Sequence, residues 1–198
     1  MVNGTTALKM QNEWQEIMSK QRIVEIVDYN PQWPHFFSEL STIIVDKLGN
    51  LALSIEHVGS TSVPGLAAKP IIDLDVVIAS NEVLLKVVYL LQELGYEHEG
   101  DKGILGREAF AREASDVPRN GTSRIWINHH LYVCPQNSTA LVRHLAFRDY
   151  LRNNPDQVLV YGELKRQLAQ HFQYDIDSYC DAKTQFVEGI LQQALPDR

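Results

Sequence analysis

The chain divides by the period of its apolar residues. Ile71 to Ile78 is rich in β-branched residues and alternates, so it reads as a buried strand. Its Asp73 and Asp75 leave one face together, while Ile72, Leu74, Val76 and Ile78 point to the other. Leu51 to Val58 reads as the first main strand and Arg22 to Val27 as a short one. Between them, Tyr29-Asn30-Pro31-Gln32-Trp33-Pro34 is a turn into a helix that ends near Lys47-Leu48-Gly49, with Gly49 as its C-terminal cap. The small residues of Gly59 to Pro70 form a connection with room for one helical turn. Asn81 reads as an N-cap, and Leu84, Val87, Val88, Leu91 and Leu94 follow at helical spacing until Gly95. Tyr96 to Asp101 and Arg107 to Glu113 are strand candidates, and Asn120-Gly121 marks a turn in the polar loop Ala114 to Thr122. Arg124 to Cys134 reads as a strand with Ile125, Ile127, His129, Leu131 and Val133 on one face. Trp126, Asn128, His130, Tyr132 and Cys134 lie on the other. From Asn137 the pattern is helical. Leu141 and Leu145 mark a first helix ending at Asn153-Asn154-Pro155, Tyr161, Leu164 and Leu168 a second, and Ala182, Phe186 and Ile190 a third.

A mixed half followed by three helices predicts one α/β (α+β) domain over residues 22–195. Residues 22–136 form its mixed core and residues 137–195 a helical cover; residues 1–21 are a polar tail or short helix that Trp14, Ile17 and Met18 could dock. A length of 198 residues suffices for such a core. Net charge is −7, without the basic footprint of a broad nucleic-acid binder, so a large nucleic acid is not expected as a partner. No apolar run approaches the roughly 20 residues that span a bilayer, and no membrane association is expected. The N-terminus lacks a signal peptide's apolar centre, which makes the cytoplasm the expected compartment and Cys134 and Cys180 reduced, inert thiols.

The chemistry begins with the two aspartates. Carboxylates side by side near a core repel each other and lose hydration, and a divalent cation with hard oxygen ligands is the usual remedy. The alternative is a solvated pair at a strand end. Gly59-Ser60 offers backbone N–H groups and a hydroxyl to a phosphate. Metal and phosphate together indicate phosphoryl or nucleotidyl transfer. His57 and Lys69 flank that turn; each is either a phosphate contact or a structural residue. Arg107 and Arg112 are candidates for an anion contact, and Arg148, Lys165 and Lys183 for the border of a nucleotide or acceptor, against the alternative of surface charges. His144 and His171 read as helix-surface residues. Zinc is not expected at His129, His130 and Cys134, because adjacent histidines on a strand point apart and no fourth ligand is evident. Neither Ser60 nor Ser62 lies in a G-x-S-x-G elbow, and Gly59 to Lys69 lacks the G-K-[ST] of a P-loop.

Val58-Gly59-Ser60 followed by Asp73-Leu74-Asp75 resembles the h-G-[GS]…D-h-[DE] signature of the nucleotidyltransferase superfamily. Within it, G-S-T-S-V-P-G-L-A-A-K-P-I-I-D looks like the GrpB family, also known as UPF0157. Tyr29 to Trp33, Gly103 to Arg107, His129-His130-Leu131, Arg143 to Leu151 and Ala182 to Phe186 agree in order, so the resemblance covers about Val24 to Leu191. It implies a small, mixed, strongly twisted sheet flanked by helices. It also implies Mg²⁺ or Mn²⁺ held by Asp73 and Asp75, and nucleoside triphosphate phosphates held by Ser60 and the N–H groups near Gly59 and Thr61. The implied reaction is nucleotidyl transfer to a small-molecule or protein acceptor, or, in the alternative, nucleotide binding as a regulatory module without efficient turnover. The superfamily's third carboxylate has no counterpart in the Trp126 to Cys134 strand, where His130 is a ligand or base, or else a hydrogen-bonded pocket residue. Tyr132 departs from the family's H-H-L-H phrase.

Overall fold

The computed structural model describes residues 23–195, so the expectation for the tail at 1–21 lies outside the described residues. The order is α1 (Trp33–Leu48), β1 (Ser54–Val58), β2 (Ile72–Ile78), α2 (Leu84–Glu93), β3 (Tyr96–Gly100), β4 (Glu108–Arg112), β5 (His129–Pro135), α3 (Thr139–Asn153), α4 (Pro155–His171), α5 (Ile176–Ala182) and α6 (Thr184–Ala194). The five strands form one mixed sheet in the order β1-β2-β5-β4-β3. Only the central pair, β2 with β5, is parallel.

Apolar alternation sets the two faces of this sheet. Ile72, Leu74, Val76 and Ile78 of β2 and Leu131 and Val133 of β5 are fully buried in the main core. Against them pack Trp33, Leu40, Ile44 and Leu48 of α1 and Val87 and Leu91 of α2, at the spacing of one helical stripe. Pro34 starts α1, where its missing N–H costs nothing, and Gly49 ends it at φ 55°. The opposite face of the sheet is covered by α3, through the cluster of Val77, Cys134 and Leu141. Helices α3, α4 and α6 then meet around Val63, Leu66, Leu151, Val158 and Tyr161. Cys134 is buried and Cys180 exposed, both as free thiols. No described helix is long and apolar enough to cross a membrane.

Several local expectations are corrected. Residues 23–27 make no strand, and Arg22 lies outside the described residues; Val27 forms a single bridge with Ala68. The first main strand starts at Ser54, because Gly49–Leu51 closes a 3₁₀ turn. The cap near Asn81 is Ser80, whose hydroxyl accepts from the Glu82 N–H. Strand β5 begins only at His129. The segment before it is tied to the preceding loop, with the Trp126 N–H on the Ser115 carbonyl and its indole N–H on the Pro118 carbonyl. The third C-terminal helix is two, broken at Lys183.

Two core histidines couple this fold to pH. Burial lowers both His57 and His129 from 6.5 to about 4. Between those values the unfolded chain binds protons that the native histidines refuse. Their contribution to stability is therefore complete above pH 6.5 and is lost as the pH falls toward 4, by a few kcal/mol in total. Urea unfolding midpoints measured across this window fall with pH, and the slope is shallower in His129→Gln.

Candidate active site

Strand β2 places Asp73 and Asp75 on the face away from the main core, and the parallel register sets His130 beside Asp73 and Tyr132 beside Asp75. His130 Nδ1 is 2.8 Å from Asp73 Oδ1. A carboxylate can only accept, so Nδ1 is the donor to Asp73, and in the neutral imidazole Nε2 is the nitrogen that carries the lone pair. His144 Nδ1 lies 2.7 Å from Asp75 Oδ2. His144, expected on a helix surface, is thus corrected to a member of the acid cluster. Asp75 is completely buried, and its Oδ1 has no hydrogen-bond partner among the described residues.

The turn after β1 leans on Asp73. Gly59 has φ +67°, and a Cβ there would fall 2.1 Å from Asp73 Oδ2, so any side chain would displace the carboxylate. Ser60–Ser62 is a 3₁₀ turn whose own bonds use the N–H groups of Ser62 and Val63. The N–H groups of Ser60 and Thr61 have no partner within it. The turn is braced from three sides. The Ser62 hydroxyl donates to the Gly59 carbonyl, and Arg152 of α3 donates twice to the Ser62 carbonyl at 2.8 and 3.0 Å. The Thr61 hydroxyl donates to the Ile71 carbonyl at 3.1 Å, which makes His57 Nε2 the donor to Thr61 Oγ1. His57 pairs in register with Leu74 on the core face and stacks on Phe37 at 4.6 Å. The structure therefore corrects the phosphate contact expected of His57: its imidazole is a brace on the other side of the sheet. Thr61 retains only its N–H for that purpose.

Three lysines gather beyond Asp73. Lys165 Nζ lies 4.5 Å from the Tyr161 ring centroid, while Lys69 and Lys183 lie over Tyr179 at 5.5 and 4.3 Å. Lys165 is 2% exposed and its ammonium nitrogen has no hydrogen-bond partner among the described residues. Burial, reinforced by the charges of Lys183 and Arg166, lowers it from 10.5 to about 6; Asp73 is close enough to pull it the other way. Burial lowers Lys183 too. Arg148 is committed elsewhere, to Glu56 Oε2 at 2.9 Å, the His57 carbonyl at 3.2 Å and Asp149 at 2.7 Å. On the other flank, the Arg107 guanidinium rests on the Tyr132 ring at 4.2 Å.

Sequence reasoning missed Glu56. It pairs with Asp75 across β1 and β2, which puts a third carboxylate on the acid face from the strand opposite to the one searched. The period of two through Glu56 and Val58 carries that signal. Two cavities elsewhere, of about 260 and 340 Å³, are lined by none of these acidic or lysine residues.

The donor set suits a hard divalent cation. Two carboxylates stand together, and one buried oxygen lacks any partner. No group of three or more His, Cys, Asp or Glu among the described residues forms a ready-made metal cage. A cation here would complete its shell with water and ligand phosphate oxygens, as Mg²⁺ commonly does.

Residues 23–193 match the family model described as GrpB protein. UPF0157 protein YqkA of Bacillus subtilis is 35% identical over 174 residues, 88% of this chain and 48% of that protein. The chain thus spans about half the length of that relative. The crystal structure of the conserved protein GrpB from Enterococcus faecalis is 36% identical with a TM-score of 0.74, over 87% of this chain and 98% of that one. A likeness to the Cid1 poly(U) polymerase, at 13% identity and a TM-score of 0.48 over 83% of this chain and 47% of that one, is too slight to bear on function. By sequence and by fold, this chain belongs to the GrpB family.

Proposed function

We propose that this chain is a divalent-metal-dependent nucleotidyltransferase that moves a nucleoside monophosphate from a nucleoside triphosphate to a small-molecule or protein acceptor. One observation carries the reading. A buried carboxylate oxygen on Asp75 and the buried amine nitrogen of Lys165 both lack a hydrogen-bond partner among the described residues, and the charge of Asp73 acts on Lys165. Unpartnered buried polar groups are costly in an empty site, and a metal-bound polyphosphate satisfies both, the metal at Asp75 and the phosphate by drawing a proton onto Lys165.

Asp73 and Asp75 would hold Mg²⁺ or Mn²⁺, which neutralises phosphate charge and orients the reacting oxygens. The Ser60 hydroxyl and the N–H groups of Ser60 and Thr61 take terminal phosphate oxygens. Lys165, with Lys69 and Lys183, receives the charge of the tail. The acceptor oxygen attacks the α-phosphorus and forms the new O–P bond. The bond from that phosphorus to the bridging oxygen breaks, and pyrophosphate leaves with the electron pair. With Nδ1 donating to Asp73, Nε2 of the neutral His130 imidazole accepts the acceptor's proton. The second reading, a nucleotide-binding regulatory module with weak or no turnover, is favoured by one feature: β5 supplies Tyr132, not an acid, beside Asp75.

Label transfer from α-labelled ATP, GTP, CTP and UTP with Mg²⁺ or Mn²⁺, into fractionated extract, decides between the two. Transfer and pyrophosphate release that drop at least a hundredfold in Asp73→Asn or Asp75→Asn are the expected outcome. Binding that depends on those aspartates, without release in the parent protein, identifies the module instead. Neither binding nor release removes both readings.

Lys165 gives an independent signature. At about 6 it is largely neutral above pH 7, and a bound polyphosphate raises its affinity for a proton. Nucleotide binding at pH 7.5–8.5 therefore takes up protons, and affinity falls as pH rises. Calorimetry in buffers of different ionisation enthalpy measures an uptake of up to about one proton. Lys165→Met abolishes it, and an unchanged uptake in that variant contradicts the assignment.

A further inference from the structure

Arg107 borders the acid face and takes no part in the nucleotide binding proposed above. It closes the loop between β3 and β4, where Gly103 and Gly106 have φ near +80°. A Cβ on Gly106 would fall 2.9 Å from the Ser138 side chain, so the loop sits tightly against the start of α3. The Arg107 guanidinium lies over the Tyr132 ring, and its Nε is buried without a hydrogen-bond partner among the described residues. The neighbouring carboxylates are engaged elsewhere: Glu108 with His98 at 2.7 Å and Glu99 with Lys102 at 2.6 Å.

Its place in the sheet separates it from the phosphate turn. Ser60 follows β1, and Arg107 precedes β4, three strands away. At about 4.8 Å per strand the two strands are about 14 Å apart across the sheet, and the register adds an offset along it, since β1 ends level with His130 and β4 starts level with Val133; Arg107 reaches back to Tyr132 on β5. Asp75, in register with Tyr132, is then one strand away from the guanidinium. A guanidinium fork matches a phosphate or carboxylate. The polyphosphate tail is accounted for on the lysine flank, and a ribose and base carry no charge. The remaining reactant is the acceptor.

We infer that Arg107, on its Tyr132 platform, is the acceptor anchor, and that the acceptor is a small hydroxyl compound bearing a phosphate or carboxylate group. This rests on the nucleotidyl-transfer reading for the word acceptor; the anion site itself does not.

The test titrates glycerol 3-phosphate, glycerate and glycerol into the full chain. Each runs alone and with a saturating Mg²⁺ complex of a non-hydrolysable triphosphate. Calorimetry gives affinity, and the Arg107 Nε–H resonance, identified by its loss in Arg107→Gln, gives location. Anions shift that resonance saturably, glycerol does not, and bound nucleotide leaves the site open. Preference between the two anions tells a phosphate from a carboxylate. Arg107→Gln weakens anion binding about tenfold or more, and Arg107→Lys, which keeps charge but loses the fork, weakens it less. The lysine variant and the resonance keep the test sound if Arg107→Gln folds poorly by circular dichroism. Anion binding that survives Arg107→Gln, or that bound nucleotide abolishes, belongs to the lysines and overturns the proposal. Binding no tighter than glycerol overturns it equally. A parent that binds the anions at Arg107 but no nucleotide overturns the transfer reading alone.

Discussion

The parallel pairing of β2 with β5 is the interaction on which everything else rests. Side chains alternate along a strand, so a slip of one residue exchanges the two faces. Here such a slip would drive two aspartates into the core and lift Leu74 and Val76 out of it. The completely buried Leu74, Val76 and Leu131 forbid that. Apolar burial on one side therefore fixes the register, and the register fixes the chemistry on the other. It sets His130 against Asp73 and Tyr132 against Asp75. Gly59 then closes the arrangement from β1, because only a residue without a Cβ fits against the Asp73 carboxylate.

What was legible in the sequence follows the range of the signal. The β2 alternation, the carboxylate face and the Gly-Ser turn are local patterns, and they stand as read. The two short strands β3 and β4 were also visible, within a residue or two at their ends. The start of β5 was not, since Trp126 continues the alternation while its N–H groups bond to residues 115 and 118. That competition is tertiary. His144 was missed for a similar reason: its partner Asp75 is 69 residues away. Yet a trace was present. His144 and Arg148 fall on the stripe that Leu141 and Leu151 bury in α3, and Lys165 falls between Val158, Tyr161 and Ala169 in α4. Polar residues on an otherwise apolar stripe are the local mark of a buried polar site. Reading each as a surface charge one at a time hides it.

Those stripe residues also explain how the helices serve the sheet. Helix α3 delivers His144 to Asp75, Arg148 to Glu56 and the His57 carbonyl, and Arg152 to the Ser62 carbonyl. These contacts step along the helix by four residues, so one face of α3 touches β2, β1 and the Gly59–Ser62 turn in succession. The helical cover is therefore part of the site's construction, and its low apolar asymmetry is the consequence of spending the buried face on polar contacts.

Arg148 also sets the charge of the acid face. Glu56, Asp73 and Asp75 all project from the same side of neighbouring strands. Three ionised carboxylates in so small an area would repel each other strongly once partly removed from water. Arg148, with its side chain only 12% exposed, neutralises Glu56 at 2.9 Å and holds it beside β1. The two aspartates are left with no lysine or arginine paired to them among the described residues, and with histidines on one oxygen of each. Two carboxylates only balance a divalent ion, and they leave most of its coordination shell to be filled from outside the protein. A site of that charge holds a bare cation weakly and a cation already carrying phosphate oxygens well. On the proposed reading, metal and nucleotide therefore enter this face most favourably together.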